Sequence, residues 1–179
     1  AELQTIRRNG EAIEIGATVA LTDAFAALAA DWPELNEVWM RFASVPIRNS
    51  GTLGGNVANG SPIGDSMPVL VALGASVVLR HGSRTRVLPL EGFYVAYQQT
   101  TLQPGEFVAA VRVPARPADV LLRAYKVSKR YDQDISAVFC CFALTMSGTT
   151  IAHARIGCGG VAATPRRACR PKPCRRTVV

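Results

Sequence analysis

A chain of 179 residues suffices for one domain, or for one with part of a second, and its 49% hydrophobic and 18% charged residues describe an ordinary globular core. No run approaches the ~18 apolar residues of a membrane-spanning helix, and Ala1 to Arg8 lack a basic start followed by an apolar stretch, so neither a membrane span nor a secretory leader is expected. The formal charge of +7 does not imply a nucleic-acid partner, because Arg166, Arg167, Arg170, Lys172, Arg175 and Arg176 all lie in the last fourteen residues, whereas a phosphate-binding face needs cations spread over folded surface.

In chain order, Ala12 to Gly16 alternates apolar and polar residues and predicts a strand. Thr22 and Asp23 precede AFAALAA, which predicts a helix capped by Thr22. Pro33 suits the first turn of a second helix running through ELNEVWMRF. Ala43 to Gly64 then changes texture: five glycines, two prolines and almost no charge besides Arg48. A loop of ~20 residues in a compact domain is usually functional.

Asp65 to Leu73 reads as a helix ended by Gly74. Ala75 to Arg80 and Thr85 to Leu90 flank HGSR as a β-hairpin, and Phe107 to Val113 is a further strand closed by Pro114. PARPAD is a connector. Three strands follow, Leu121 to Lys129, Ile135 to Met146 and Thr150 to Gly157, the last two joined by SGTT. There is no internal repeat, and the pattern is α+β.

Five cysteines occur, Cys140, Cys141, Cys158, Cys169 and Cys174, with no CxxC pair and only two histidines. Zinc and iron–sulfur sites need closely paired ligands, so these read as buried free thiols in a reducing compartment, and a cytoplasmic location is expected.

The segment from Asn49 to Asp65, NSGTLGGNVANGSPIGD, carries the chemistry. Gly54 and Gly55 would let backbone approach a ligand, take positive φ and offer bare N–H groups to an anion. Thr52, Asn56, Asn59 and Ser61 add short polar groups suited to phosphate or ribityl hydroxyls. Asp65 would accept from ribose or adenine, or else cap the following helix. By itself a Gly-Gly with nearby Asn is more often a plain turn. The segment is neither a GxGxxG dinucleotide fingerprint nor a phosphate-binding P-loop.

IRNSGTLGGNVANGSPIGDSMPVL resembles the second flavin-binding motif of the molybdenum hydroxylase flavoproteins. The likeness continues through LPLEGFYVAYQQTTLQPGEFV, VRVP, RAYKVSKRYDQDISAV and ARIGCGGVAATPRRA, and the wording is similar to xanthine dehydrogenase above its siblings. The resemblance implies a PCMH-type FAD-binding mixed α/β subdomain over 1–116, with its N-terminal part missing. Over 117–168 it implies the start of an antiparallel-sheet C-terminal domain. Residues 169–179, which include CRPKPCRRTVV from Cys169, depart from the family's alanine-rich helix and read as an aberrant basic tail. The chain does not begin with Met and is expected to start inside a longer protein.

The same resemblance implies the site. Thr52 to Asn56, including Gly54 and Gly55, match the loop against the FAD pyrophosphate and ribityl chain, and Asn59 and Asp65 match further contacts. Phe42 with Ala43 match the place of an aromatic against the isoalloxazine, Val108 an apolar contact, and Lys126 a lysine near the ring. Read from the residues alone, Phe42 and Val108 are equally core positions, Lys126 belongs to a solvated basic face with Arg123, Lys129 and Arg130, and Tyr125 and Tyr131 are packing residues. Asp132 and Asp134 read as a turn or salt-bridge feature.

The implied function is the FAD component of a xanthine dehydrogenase, passing electrons from [2Fe–2S] clusters through FAD to NAD+ while a molybdopterin subunit oxidises purine. No catalytic or metal-ligating residue is expected in this chain. The alternatives are a non-catalytic fragment, or the flavoprotein of a sibling enzyme of carbon monoxide dehydrogenase or aldehyde oxidoreductase type.

Overall fold

The computed structural model describes residues 2–168; the expected tail at 169–179 lies outside the described residues. Two antiparallel sheets share one core. The elements are β1 (Ile6–Arg8), β2 (Ala12–Gly16), α1 (Leu21–Asp31), α2 (Asn36–Met40), α3 (Val45–Ser50), α4 (Leu53–Asn59), α5 (Ser66–Ala72), β3 (Ser76–His81), β4 (Arg84–Pro89), β5 (Tyr94–Ala96), β6 (Gln99–Thr100), β7 (Phe107–Pro114), β8 (Val120–Val127), β9 (Val138–Ser147), β10 (Thr150–Gly159) and β11 (Arg166–Arg167). The first sheet runs β1-β2-β7-β3-β4, the second β11-β10-β9-β8, and β5 pairs with β6. The expected α+β class holds.

The buried strand β7 organises the first sheet. Its run from Val108 to Val111 is buried, as a central strand requires, and it pairs with β2 on one side and β3 on the other. α5 packs on β9 and β10 of the second sheet and is buried on every side. A helix apolar all round belongs in a core. Val69 to Leu73 join Ile13, Ile15, Val77, Val111 and Val113 in one continuous cluster, so α5 links the two sheets. Among the described residues no helix is long and apolar enough to cross a membrane.

Several expectations are corrected. Thr22 does not cap α1: Ala20 holds the cap position, and the Thr22 hydroxyl donates to Asn49 Oδ1 at 2.6 Å. The helix expected from Pro33 to Phe42 breaks into a 3-10 turn, Pro33–Leu35, and the short α2. The loop expected over 43–64 contains α3 and α4; glycine-rich composition hid them, because their helicity is enforced by packing rather than propensity. Tyr125 and Tyr131 are exposed rather than core residues. Asp134 does serve a turn, accepting from the Arg130 and Ile135 N–H groups, and the Arg130 N–H above all holds its carboxyl below the usual range.

Candidate functional site

The segment singled out in the sequence is built on α4. Thr52 is its cap: its hydroxyl oxygen accepts from the Gly55 N–H at 3.1 Å. The Leu53 N–H donates to the Val19 carbonyl at 3.1 Å, Gly54 to Ala17 at 3.0 Å, and Asn56 to Thr52 at 3.0 Å. The four N–H groups after Thr52 are therefore committed within the protein, and neither Gly54 nor Gly55 takes a left-handed φ. This corrects the expected anion nest at positive-φ glycines. Gly54 has a different reason to be glycine: it is buried directly on Ala17, in the chain leaving β2. Gly55 is exposed and leaves backbone open to approach.

α4 ends at Gly60, which has φ +59, and a Cβ there would sit 2.8 Å from the Tyr94 ring. The left-handed turn and this close approach both require glycine. Tyr94 donates its hydroxyl to the Val57 carbonyl at 2.9 Å, and burial raises its phenol well above the ordinary value. Ser66 then donates to Asn56 Oδ1, tying α4 to the start of α5. Among the described residues the Asn56 amide nitrogen and the exposed Asn59 side chain have no partner.

Next to this junction a cleft of about 300 Å³ opens between the α2–α3 connection and the segment from Gln133 to Ser136. It brings together Phe42, Ala43, Asp65 and Lys126. Ile47, Ile63 and Ile135 line it and are exposed, leaving an apolar mouth of the kind that ligands cover. Phe42 forms one wall while meeting Phe25 edge-on at 5.0 Å; Phe25 in turn stacks on Trp39 at 4.0 Å. Phe42 is thus buried in the core and also lines the cleft.

Asp65 is the surprise of the cleft. It precedes α5 but caps nothing. Its carboxylate accepts from Lys126 Nζ at 2.6 Å and from the Ser136 hydroxyl. The two charged side chains are 6% and 3% exposed. Lys126 is therefore not on a solvated face, and its charge is compensated. The sequence spacing of 61 residues gave no sign of this pair.

A further residue was noted only as an isolated charge. Arg48 of α3 donates through Nη1 to the carbonyls of Phe42 at 2.6 Å, Ala43 at 3.2 Å and Met40 at 3.3 Å. Ala43 has φ +46, a conformation uncommon outside glycine. The guanidinium gathers the three carbonyls that this strained turn would otherwise leave unpaired. Arg48→Ala should lower stability by about 1–3 kcal/mol, as charged hydrogen bonds of this kind are worth, read as a lower urea midpoint at unchanged slope. A midpoint equal to the parent's would show that the turn holds itself. On the opposite side, Arg41 donates to the Tyr131 carbonyl at 2.9 Å and lies 4.5 Å from that ring's centre. This fixes the segment after β8 against α2.

The cleft does not include the other expected residues. Thr52, Gly54, Gly55, Asn56 and Asn59 lie along α4, and Val108 is buried in β7 opposite Leu79, in the core. A ~300 Å³ cleft is at the lower end of ligand sites, large enough for a ring system and too small for a whole dinucleotide. An apolar-walled slot with an ion pair at its base fits an aromatic head group. The partnerless Asn56 amide, Asn59 and the open Gly55 backbone along α4 suit a polar chain extending from it.

Residues 1–116 match the family described as FAD binding domain in molybdopterin dehydrogenase, and residues 123–171 match the carbon monoxide dehydrogenase flavoprotein C-terminal domain. The chain belongs to the family of FAD-binding domains of molybdopterin dehydrogenases. The carbon monoxide dehydrogenase medium chain of Hydrogenophaga pseudoflava is 33% identical over 168 residues, 93% of this chain and 58% of the relative. Xanthine dehydrogenase of Emericella nidulans is 32% identical over 161 residues, 83% of this chain and 12% of the relative. The structure of carbon monoxide dehydrogenase from Hydrogenophaga pseudoflava lacking the Mo-pyranopterin moiety superposes with a TM-score of 0.86 at 32% identity, covering 93% of this chain and 58% of that one. The chain thus spans little more than half the length of this medium chain, and the match covers 93% of the chain for the carbon monoxide dehydrogenase relative against 83% for the xanthine dehydrogenase relative.

Proposed function

We propose that this chain holds FAD as the flavin component of a molybdenum hydroxylase, accepting electrons from iron–sulfur clusters and passing them to a soluble acceptor. The observation that carries the reading is the cleft, where Phe42, Ala43, Asp65 and Lys126, drawn from distant parts of the sequence, meet beside α4. FAD, when bound, supplies the two-electron redox chemistry. The chain's own residues position it. Phe42 and the isoleucines exclude water from the ring, and Lys126 offers a cation whose position Asp65 and Ser136 fix. Asn56, Asn59 and Gly55 border the path for the ribityl and phosphate groups. The iron–sulfur clusters and molybdopterin belong to partner domains or subunits.

The narrower reading is a xanthine dehydrogenase type that reduces NAD+ during purine oxidation; the wording NGSPIGDSMP and YKVSKRYDQDIS supports it. A carbon monoxide dehydrogenase type is favoured equally by the match over 93% of the chain. Titrating FAD with purified chain tests the shared part. Saturable quenching of flavin fluorescence is expected, weakened at least tenfold by Gly55→Asp, since a carboxylate there would repel the phosphates. Absence of quenching by the parent chain would leave it a non-catalytic flavin-domain fragment. If FAD binds, reconstitution with the molybdopterin and iron–sulfur parts distinguishes xanthine from carbon monoxide as the electron source.

A further inference from the structure

The outer face of the second sheet carries a pair of thiols that the sequence spacing concealed. Cys140 of β9 and Cys158 of β10 are direct partners across the antiparallel ladder. Their sulfurs are 3.8 Å apart. Direct partners in such a ladder have Cα atoms about 4.5 or 5.5 Å apart, and both values fall inside the range of about 4.4–6.8 Å that a disulfide spans. Cys141, one residue on, points to the opposite face and is fully buried. The pairing is therefore between Cys140 and Cys158 and excludes Cys141. Both partners are half-buried rather than sealed, and Tyr125 of β8, directly across from Cys140, is exposed.

The register depends on one residue. From the turn, Ser147 pairs with Thr150 and Met146 with Ile151, but His153 pairs with Thr145, so Ala152 is an extra residue. Without this bulge Cys140 would face Gly157. With it, β10 advances by one position and the two thiols meet.

We propose that Cys140 and Cys158 form a cross-strand dithiol that small-molecule disulfides oxidise to an intramolecular disulfide. One thiolate attacks the small disulfide, expels one small thiol and leaves a mixed disulfide. The neighbouring thiolate attacks that bond and expels the second. Two cysteine S–H bonds are lost and one S–S bond forms between β9 and β10. The two cysteines give up two electrons, and the reagent takes them up to become two thiols. Burial first, and the neighbouring Cys140 second, push the Cys158 thiol up to about 11, so the reaction needs alkaline pH to run quickly. This inference does not rest on the flavin reading.

The test exposes the full chain to oxidised glutathione, blocks remaining thiols by alkylation and maps the cross-links by peptide mass. The expected product is a linked peptide pair containing Cys140 and Cys158, two hydrogens lighter than the reduced pair. Its rate should rise about tenfold between pH 7 and pH 8, as the thiolate fraction does. Cys141→Ser should form it unchanged. Cys140→Ser and Cys158→Ser should each stop at one retained glutathione. Full alkylation of both residues in the parent chain, or linkage of either to Cys169 or Cys174, would overturn the proposal.

Discussion

Gly54→Ala is expected to lower stability by about 3 kcal/mol, while Gly55→Ala, one residue on, loses only about 1 kcal/mol. The difference comes from what a Cβ would meet. At Gly54 it would lie 2.4 Å from the Ala17 Cβ, 2.5 Å from its Cα and 2.7 Å from its carbonyl oxygen. Those atoms belong to the chain leaving β2, and the Gly54 N–H is bonded to that same carbonyl at 3.0 Å. Backbone must move, and α4 must lift from the sheet. At Gly55 the only near atom is the Thr52 hydroxyl at 2.8 Å, a side chain that can rotate away at the expense of its cap. Thermal unfolding reads the contrast, because a domain of this size shifts by about 2–4 °C per kcal/mol. A Gly54→Ala protein melting within a degree of the parent would show that α4 is not seated against Ala17.

This contrast bears on what the sequence disclosed. The Gly-Gly motif was visible as a place of close approach, and close approach is what the structure has. Its object differs: Gly54 approaches the protein itself, and only Gly55 faces outward. Strand positions such as Ala12–Gly16 and the β3–β4 hairpin were legible because alternation and turn residues are local signals. α3 and α4 were not, since VPIRNS and LGGNVAN contain weak helix formers; Gly60, Tyr94 and the sheet below impose the shape of α4, and α3 packs on α1.

The site shows the same division. Family resemblance named Phe42, Ala43, Asp65 and Lys126, but only the fold brings them to one cleft, because the chain passes through α5, then β3, β4 and β7 of the first sheet, and most of β8 between Asp65 and Lys126. Arg48 was passed over since a lone arginine in a glycine-rich stretch carries no periodic signal; its targets are carbonyls, which no sequence pattern displays. The Cys140–Cys158 contact was hidden for a third reason. The hairpin register can be counted from the SGTT turn, but the count is off by one unless the bulge at Ala152 is known.

The largest effect is expected at the buried pair. Lys126→Met should lower stability by about 3–5 kcal/mol, because Asp65 would keep its charge inside the protein with only the Ser136 hydroxyl for a partner. Asp65→Leu should be comparably damaging, since it strands the ammonium. Combining them removes both charges and restores most of the loss, since apolar replacements of a buried pair are often neutral. Urea unfolding of the two single variants and the double variant gives the coupling directly. If the double variant loses as much as the two singles added together, the pair is not what stabilises the cleft. The double variant also separates stability from ligand binding. It should fold with near-parental stability and yet bind FAD at least tenfold more weakly, because the cation at the base of the cleft is gone. Parental FAD affinity in that folded protein would remove the cleft from the flavin site and leave Lys126 and Asp65 as a structural strut between α5 and β8.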